Sequence, residues 1–327
     1  MYFWLGLCLS LAGLLLLNAA ASLVAAAVWR WLGPRTMNWR AQDRSRTIFA
    51  FRIAPVIGAT LFVGVFMLPA YLTHEPTHTT ENVGWPMSLF AFLTFAGFAL
   101  AVWRGLTAWR ATRRLMQSWL RAAAPISLAG INIPTVVVSH PFPVLAVVGV
   151  FRPRLFVAEQ ILVTLTAEEL NASLRHELGH LVTHDNLKRI LLRACSDVLT
   201  IVPFGRTLDR AWAASAECAA DEHAAQSGFD TSLELASALL KITRLATPES
   251  RANLPLGAYL LHPDEDRDML ARRVRQLAQG GKPRVSHRLD LAIWSGLTGF
   301  LLLLAVAVSQ TSATATFHYF LEHIVAI

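Results

Sequence analysis

TAEELNASLRHELGHLVTHD, residues 166–185, decides how the rest of this chain is read. Thr166 and Glu169 form a capping box, in which the hydroxyl and the carboxylate satisfy amides left free in a helix's first turn. Leu170, Leu174, Leu178 and Leu181 follow at a spacing that shares one helical face, and the helix is predicted to run to about His184. On that helix His176 and His180 stand four residues apart, so their Cβ atoms are about 5–6 Å from each other. Two imidazoles so placed can share one metal ion, predicted to be zinc, one per chain. Glu177 sits beside the first of them, placed to hold a metal-bound water and take its proton. Zinc suits the task because it lowers the pKa of that water to about 7 and polarises a carbonyl. The plain alternative is two solvent-facing histidines.

A catalytic zinc takes three protein ligands and keeps a fourth position open. His184 is eight residues beyond His176, about 12 Å along a continuous helix, and cannot reach the same ion. The long motif that adds a third histidine after a glycine break is excluded, because Thr183 and Asn186 stand at those two places. Asp185 falls about 180° around the helix from His176 and is predicted to point away. The better candidate lies in SAECAADEHAA, residues 215–225, on a helix predicted over Ala211–Ser227 with Gly228 closing it. Glu217 and Asp221 share one face there. Glu217 can complete the metal shell, and Asp221 can accept the outer N–H of a ligating imidazole. A pair of solvated carboxylates is the alternative, but the many alanines argue for a closely packed helix. Glu222 and His223 are read as surface residues.

Around this centre the composition points to a bilayer. The chain is 54% hydrophobic and only 16% charged, against about 25% charged in soluble domains. Four stretches lack charge over the ~20 residues a span requires: 2–29, 53–72, 83–103 and 291–310. The first has no basic leader and too long an apolar core for a cleaved signal, so it reads as a retained anchor. Loops 30–52 and 104–121 and the stretch 272–288 are rich in Arg and Lys. Loop 73–86 and the tail have none. By the positive-inside rule both termini are outside, and loop 30–52 and residues 107–290 are cytoplasmic, as in a bacterial-type plasma membrane. The net charge of +7 is then a matter of orientation and contact with anionic lipid, not of nucleic acid. His74 and His78, in the outer loop, read as part of a solvated loop rather than a metal site.

The segment 107–290 is the one large enough to hold its own core. Thr135–Ser139, Leu145–Phe151 and Leu155–Ala158 read as strands, with FRPR at 151–154 as a turn. The stretch 187–204 is apolar but carries Lys188, Arg189, Arg193 and Asp197. It reads as a helix in the domain core, or alternatively as one resting on the membrane surface. Cys8, Cys195 and Cys218 form no metal or disulfide pattern.

HELGH at 176–180, E-x-x-x-D at 217–221 and the block VGVFRPRLFVAEQILVTLTAEELNASLRHELGHLVTHD make residues 144–277 resemble two related groups of membrane gluzincins. One is the HtpX and CAAX-prenyl-protease group. The other is the BlaR/MecR type of sensor-transducer, whose three spans before and one after the zinc domain are similar to the order here. The resemblance implies a mainly α membrane protein with four transmembrane helices plus a cytoplasmic α+β gluzincin-type zinc-peptidase domain. It implies His176, His180 and Glu217 as ligands, Glu177 as general base and Asp221 behind them. It also implies His262 as an oxyanion stabiliser, with Arg267 or Arg273 nearby, against a surface turn in HPDEDRD. Only about 17 residues follow Gln310, so an antibiotic-binding outer domain is not expected. The expected activity is endopeptidase cleavage of protein or peptide substrates at the cytoplasmic membrane face in regulated proteolysis. The substrate is expected to lie along an edge strand near Leu145–Phe151. Quality control of membrane proteins and a non-catalytic zinc scaffold remain the alternatives. Oligomeric state is not legible.

Overall fold

The structure is a computed structural model that describes residues 2–76, 84–128, 130–197, 204–245, 267–279 and 289–309. The chain opens with α1 (Tyr2–Leu32), a short 3-10 segment (Gly33–Asn38) and α2 (Ala41–Phe62). α2 runs on through a π turn (Val63–Met67) into α3 (Leu68–His74), and α4 (Trp85–Ala122) follows. Three helical stretches, Tyr2–Asn38, Ala41–His74 and Trp85–Arg121, are long and apolar enough to cross a membrane. α1 and α4 turn Phe3, Trp4, Phe92 and Phe95 outward, as lipid-facing helices do. Inside the bundle Tyr71 Oη donates to the Tyr2 carbonyl (2.7 Å), and Thr94 Oγ1 donates to the Leu11 and Phe90 carbonyls.

The mixed α/β part of the chain continues from α4 without a break in numbering of the described residues up to Leu128. β1 (Ala124–Ile126), β2 (Thr135–Val138), β3 (Leu145–Val148) and β4 (Arg154–Ala158) form one sheet in the order β1-β2-β4-β3. β2 and β4 are parallel, the other pairs antiparallel, and β3 is an edge. β1 is a strand the sequence did not announce: three residues with Pro125 in the middle, tolerated because it lies at the opposite edge. The helices α5 (Glu159–Thr164), α6 (Ala167–Val182), α7 (Asp185–Asp197), α8 (Phe204–Ala225), α9 (Phe229–Leu245) and α10 (Arg267–Ala278) follow. Trp119 of α4, Phe156 of β4, Leu174 of α6, Leu239 of α9 and Leu277 of α10 meet in the main core. α8 ends at Ala225, two residues short of the expected end, and the turn that follows closes at Gly228, whose φ of +135° favours glycine. α11 (Leu289–Ser309) corresponds to the predicted fourth span, but its apolar stretch, Leu291–Leu303, is shorter than the other three.

The basic loop predicted over 30–52 is largely helical. α2 starts at Ala41, twelve residues before the predicted span, and lies against α8. Arg52 pairs with Asp209 (3.0 Å), and Arg44 donates to Ser215 Oγ (2.9 Å). Glu222 accepts from the amide of Ala41 (2.9 Å), supplying the first turn of α2 with a carboxylate. These three contacts correct two expectations: Arg44 and Arg52 are held by protein rather than headgroups, and Glu222 is a cap rather than a surface residue. The polar groups of α2 find partners on a helix more than 150 positions away in sequence, which no local pattern announces.

Candidate metal centre

The capping box forms as predicted. Thr166 N donates to Glu169 Oε2 (2.9 Å), and Glu169 N donates to Thr166 Oγ1 (3.2 Å). Glu169 also accepts from Ser237 (2.6 Å) and pairs with Lys241 (2.7 Å), so the same residue starts α6 and fixes it to α9. α6 is thereby set before its motif begins. Gly179, inside the motif, lets α8 approach closely. A Cβ there would lie 3.1 Å from Ala220 Cα, a backbone atom that cannot swing aside.

That approach brings Glu217 of α8 to the two histidines of α6. His176 Nε2 and His180 Nε2 are 3.2 Å apart. Glu217 Oε2 is 3.5 Å from the first, and Oε1 is 3.6 Å from the second. A tetrahedral ion with bonds of about 2.0–2.1 Å sets its ligand atoms about 3.3–3.4 Å apart. The two imidazole nitrogens stand close to that spacing, one carboxylate oxygen of Glu217 faces each of them, and one ligand atom from each of the three residues lies within 4.8 Å of the others, a set whose residue types suit zinc. His176, His180 and Glu217 are all buried.

The electrostatics favour positive charge between them. Burial opposes protonation of His180, but Glu217 and Asp185 outweigh it and push its pKa up to about 10. His176 moves in the same direction, as its contacts to Asp221 and Glu217 overcome burial. Glu217 resists burial through the histidines and Arg273 and is held well below the usual carboxylate range. A divalent cation can supply the charge that these acids draw onto the imidazoles as protons.

Each imidazole has an acid behind it. Asp221 Oδ1 lies 2.9 Å from His176 Nδ1, the contact the sequence anticipated. Asp185 Oδ2 lies 2.8 Å from His180 Nδ1, against the expectation that it points away. The expectation assumed a continuous helix. α6 ends at Val182, and His184 takes a left-handed φ of +57°, which turns Asp185 back under His180. His184 itself is exposed.

Two arginines complete the surroundings. Arg273 is buried and donates to Asp221 from both Nε (2.7 Å) and Nη2 (2.9 Å), with Nη1 3.4 Å from Glu217. Burial works against the charge of Asp221, but Arg273 and His176 hold its pKa down at about 2. Arg189 of α7 brings Nη2 to 3.3 Å from Glu217 Oε1. Arg273 was one of two arginines the sequence offered, and its partner 52 positions away was unreadable. Arg189 was missed, its charge having been read only as evidence against a span. His262 lies outside the described residues.

Glu177 is buried and meets the edge strand. Its Oε2 accepts the amide of Val147 (3.0 Å), and its Oε1 accepts no hydrogen bond among the described residues. Burial pushes its pKa up from the ordinary value. Asn186 Nδ2 donates to the Val147 carbonyl (2.9 Å) and the Gly149 carbonyl (3.2 Å). Both polar groups of Val147 are therefore already engaged on the side where an added strand was expected.

Residues 109–254 match the family model of Peptidase family M48, in keeping with the resemblance to membrane zinc metallopeptidases. No curated protein matches the chain.

Proposed function

From a donor triad set within a peptidase family M48 segment, we propose that this chain is an integral-membrane zinc endopeptidase that cleaves protein substrates at the cytoplasmic membrane face. The observation that carries the reading is the convergence of His176, His180 and Glu217, all buried, with one ligand atom from each within 4.8 Å of the others and the Glu177 carboxylate on the residue next to the first of them. In this reading α11 is the fourth span and residues 107–290 are inside, which the alternation of basic and non-basic loops supports.

The residues divide the work as follows. His176, His180 and Glu217 would hold the ion, which when bound would supply Lewis acidity and lower the pKa of a water to near neutral. Asp185 accepts the outer N–H of His180, and Asp221 Oδ1, 2.9 Å from His176 Nδ1, is placed to do the same for the other imidazole, which would fix tautomer and orientation. Arg273 holds Asp221 in turn. The Val147 amide anchors one oxygen of Glu177 and leaves the other available to take a proton from the attacking water. The burial that raises the Glu177 pKa brings it closer to working pH, where a general base can also return the proton to the leaving amine. A peptide pairing with β3 meets Asn186 and Glu177 at Val147, so strand addition is confined to the flanking residues unless those side chains yield.

The test is Glu177→Gln in the full-length protein in vesicles. Retained metal with cleavage lost supports the reading, and retained cleavage overturns it. The same variant, used as a trap in cells, separates two roles. A captured soluble regulator indicates regulated proteolysis, and captured unfolded membrane proteins indicate quality control.

A further inference from the structure

Helix α7 is built inside out. At 100° per residue, Asp185, Lys188, Arg189 and Leu192 share one side of it, and Leu187, Ile190, Leu191 and Ala194 fall within an arc of about 100° on the other. The charged side faces the protein. Asp185 meets His180, Lys188 lies 3.5 Å from Asp185, and Arg189 reaches Glu217. The apolar side faces out: Leu187 is 38% exposed, Ile190 54% and Leu191 40%, whereas Asp185 is 2% exposed. A helix bathed in water has the opposite arrangement.

The neighbours of α7 say what covers this face. α7 packs against α2 and α4, two of the three helices apolar enough to cross a membrane. Its inward Leu192 belongs to a cluster with Ile48 and Ile53 of α2 and with Leu208 and Trp212 of α8. Trp29 of α1 and Trp294 of α11 pack against the same cluster. These two tryptophans stand at the ends of the apolar stretches 2–29 and 291–310, the level at which aromatic side chains mark the boundary between lipid and water. α7 therefore lies at the depth where the spans emerge.

We propose that the outer face of α7, formed by Leu187, Ile190, Leu191 and Ala194, is a lipid-binding surface that rests in the headgroup–acyl boundary of the bilayer. The partner is the membrane itself. Because Asp185 and Arg189 are on the same helix, the metal centre sits about one helix diameter, ~10 Å, from the lipid. Resting further on the peptidase reading, the bonds within reach are those in segments held at the membrane surface, such as stretches flanking a membrane anchor.

The experiment needs no proteolysis. A nitroxide is attached at Ile190→Cys in the full chain, with Cys8, Cys195 and Cys218 replaced by Ala, in phosphatidylethanolamine–phosphatidylglycerol vesicles. Its relaxation by oxygen and by a water-soluble nickel chelate is compared with labels at Glu168→Cys, exposed at the start of α6, and Phe95→Cys, outward on α4. Leu191→Cys provides a second position on the same face, and retained metal binding confirms an intact fold. The expected result is access to nickel several-fold lower than at Glu168→Cys, with high access to oxygen, as at Phe95→Cys. Nickel access equal to that at Glu168→Cys overturns the proposal, because the face is then in water. Strong dipolar coupling between labels on separate chains also overturns it, because a second copy then covers the face. Neither result depends on whether Glu177→Gln abolishes cleavage, so the two readings fail separately.

Discussion

α6 and α7 are consecutive helices, and both reach the same donor triad, yet they differ in how they are built. α6 begins at a capping box, buries Leu174 and Ala172, and delivers His176, Glu177 and His180 from a conventional apolar side. α7 turns its charges inward and its leucines outward, and it delivers Asp185 and Arg189 to the residues that α6 and α8 present. A helix between core and water has a polarity that the sequence can predict. A helix whose charges serve a buried site does not follow that rule, and its sequence reads as ambiguous.

The sharpest test of this contrast lies in α6. His180→Ala removes one of three donors and is expected to reduce metal content of the purified protein to background, measured by elemental analysis. Glu177→Gln is expected to leave metal content unchanged and to lower the cleavage rate by about 10²–10⁴-fold, the usual worth of a positioned general base. Asp185→Asn tests α7. It keeps the shape and loses the charge behind His180, and metal affinity is expected to fall by about 10–100-fold in a chelator competition. An unchanged affinity would mean that α7 contributes packing alone. Acid acts on both helices. Since the pKa values of both imidazoles are raised, His180 to about 10, protons compete with the ion throughout the neutral range. Affinity should rise with pH and binding should release protons, both measurable by calorimetry in buffers of different ionisation heat. The smallest effect is expected at Thr166→Ala, which removes the cap of α6 at about 1 kcal/mol, read as a lower midpoint of unfolding.

What the sequence made legible was local. The capping box, the histidine pair and the Glu217–Asp221 face all rest on spacings of three or four residues, and the structure brings those side chains together. The three long apolar helices were legible because charge is absent over long runs. The start of α2 was not, because Arg44 and Arg52 imitate a basic loop while answering Ser215 and Asp209 on α8. Asp185 was misjudged by carrying a helical angle across His184, where the backbone leaves the helix. β1 was too short to leave a pattern, and Arg273 meets Asp221 only after the chain has returned through α9. For Arg44, Arg52 and Arg273 the missing information was a partner distant in sequence, and for Asp185 and β1 it was the local course of the backbone.

The fastening of α2 to α8 has a mechanical consequence. Asp209, Ser215 and Glu222 are spread over most of α8, and Glu217 and Asp221 stand among them on the same rod. Sliding α2 by a single residue's rise, about 1.5 Å, strains all three fastenings and drags the carboxylate with it. Ion coordination tolerates displacements of only about 0.2 Å. Grip on the ion and the posture of the bundle are thus thermodynamically linked, so whatever tightens one must stiffen the other.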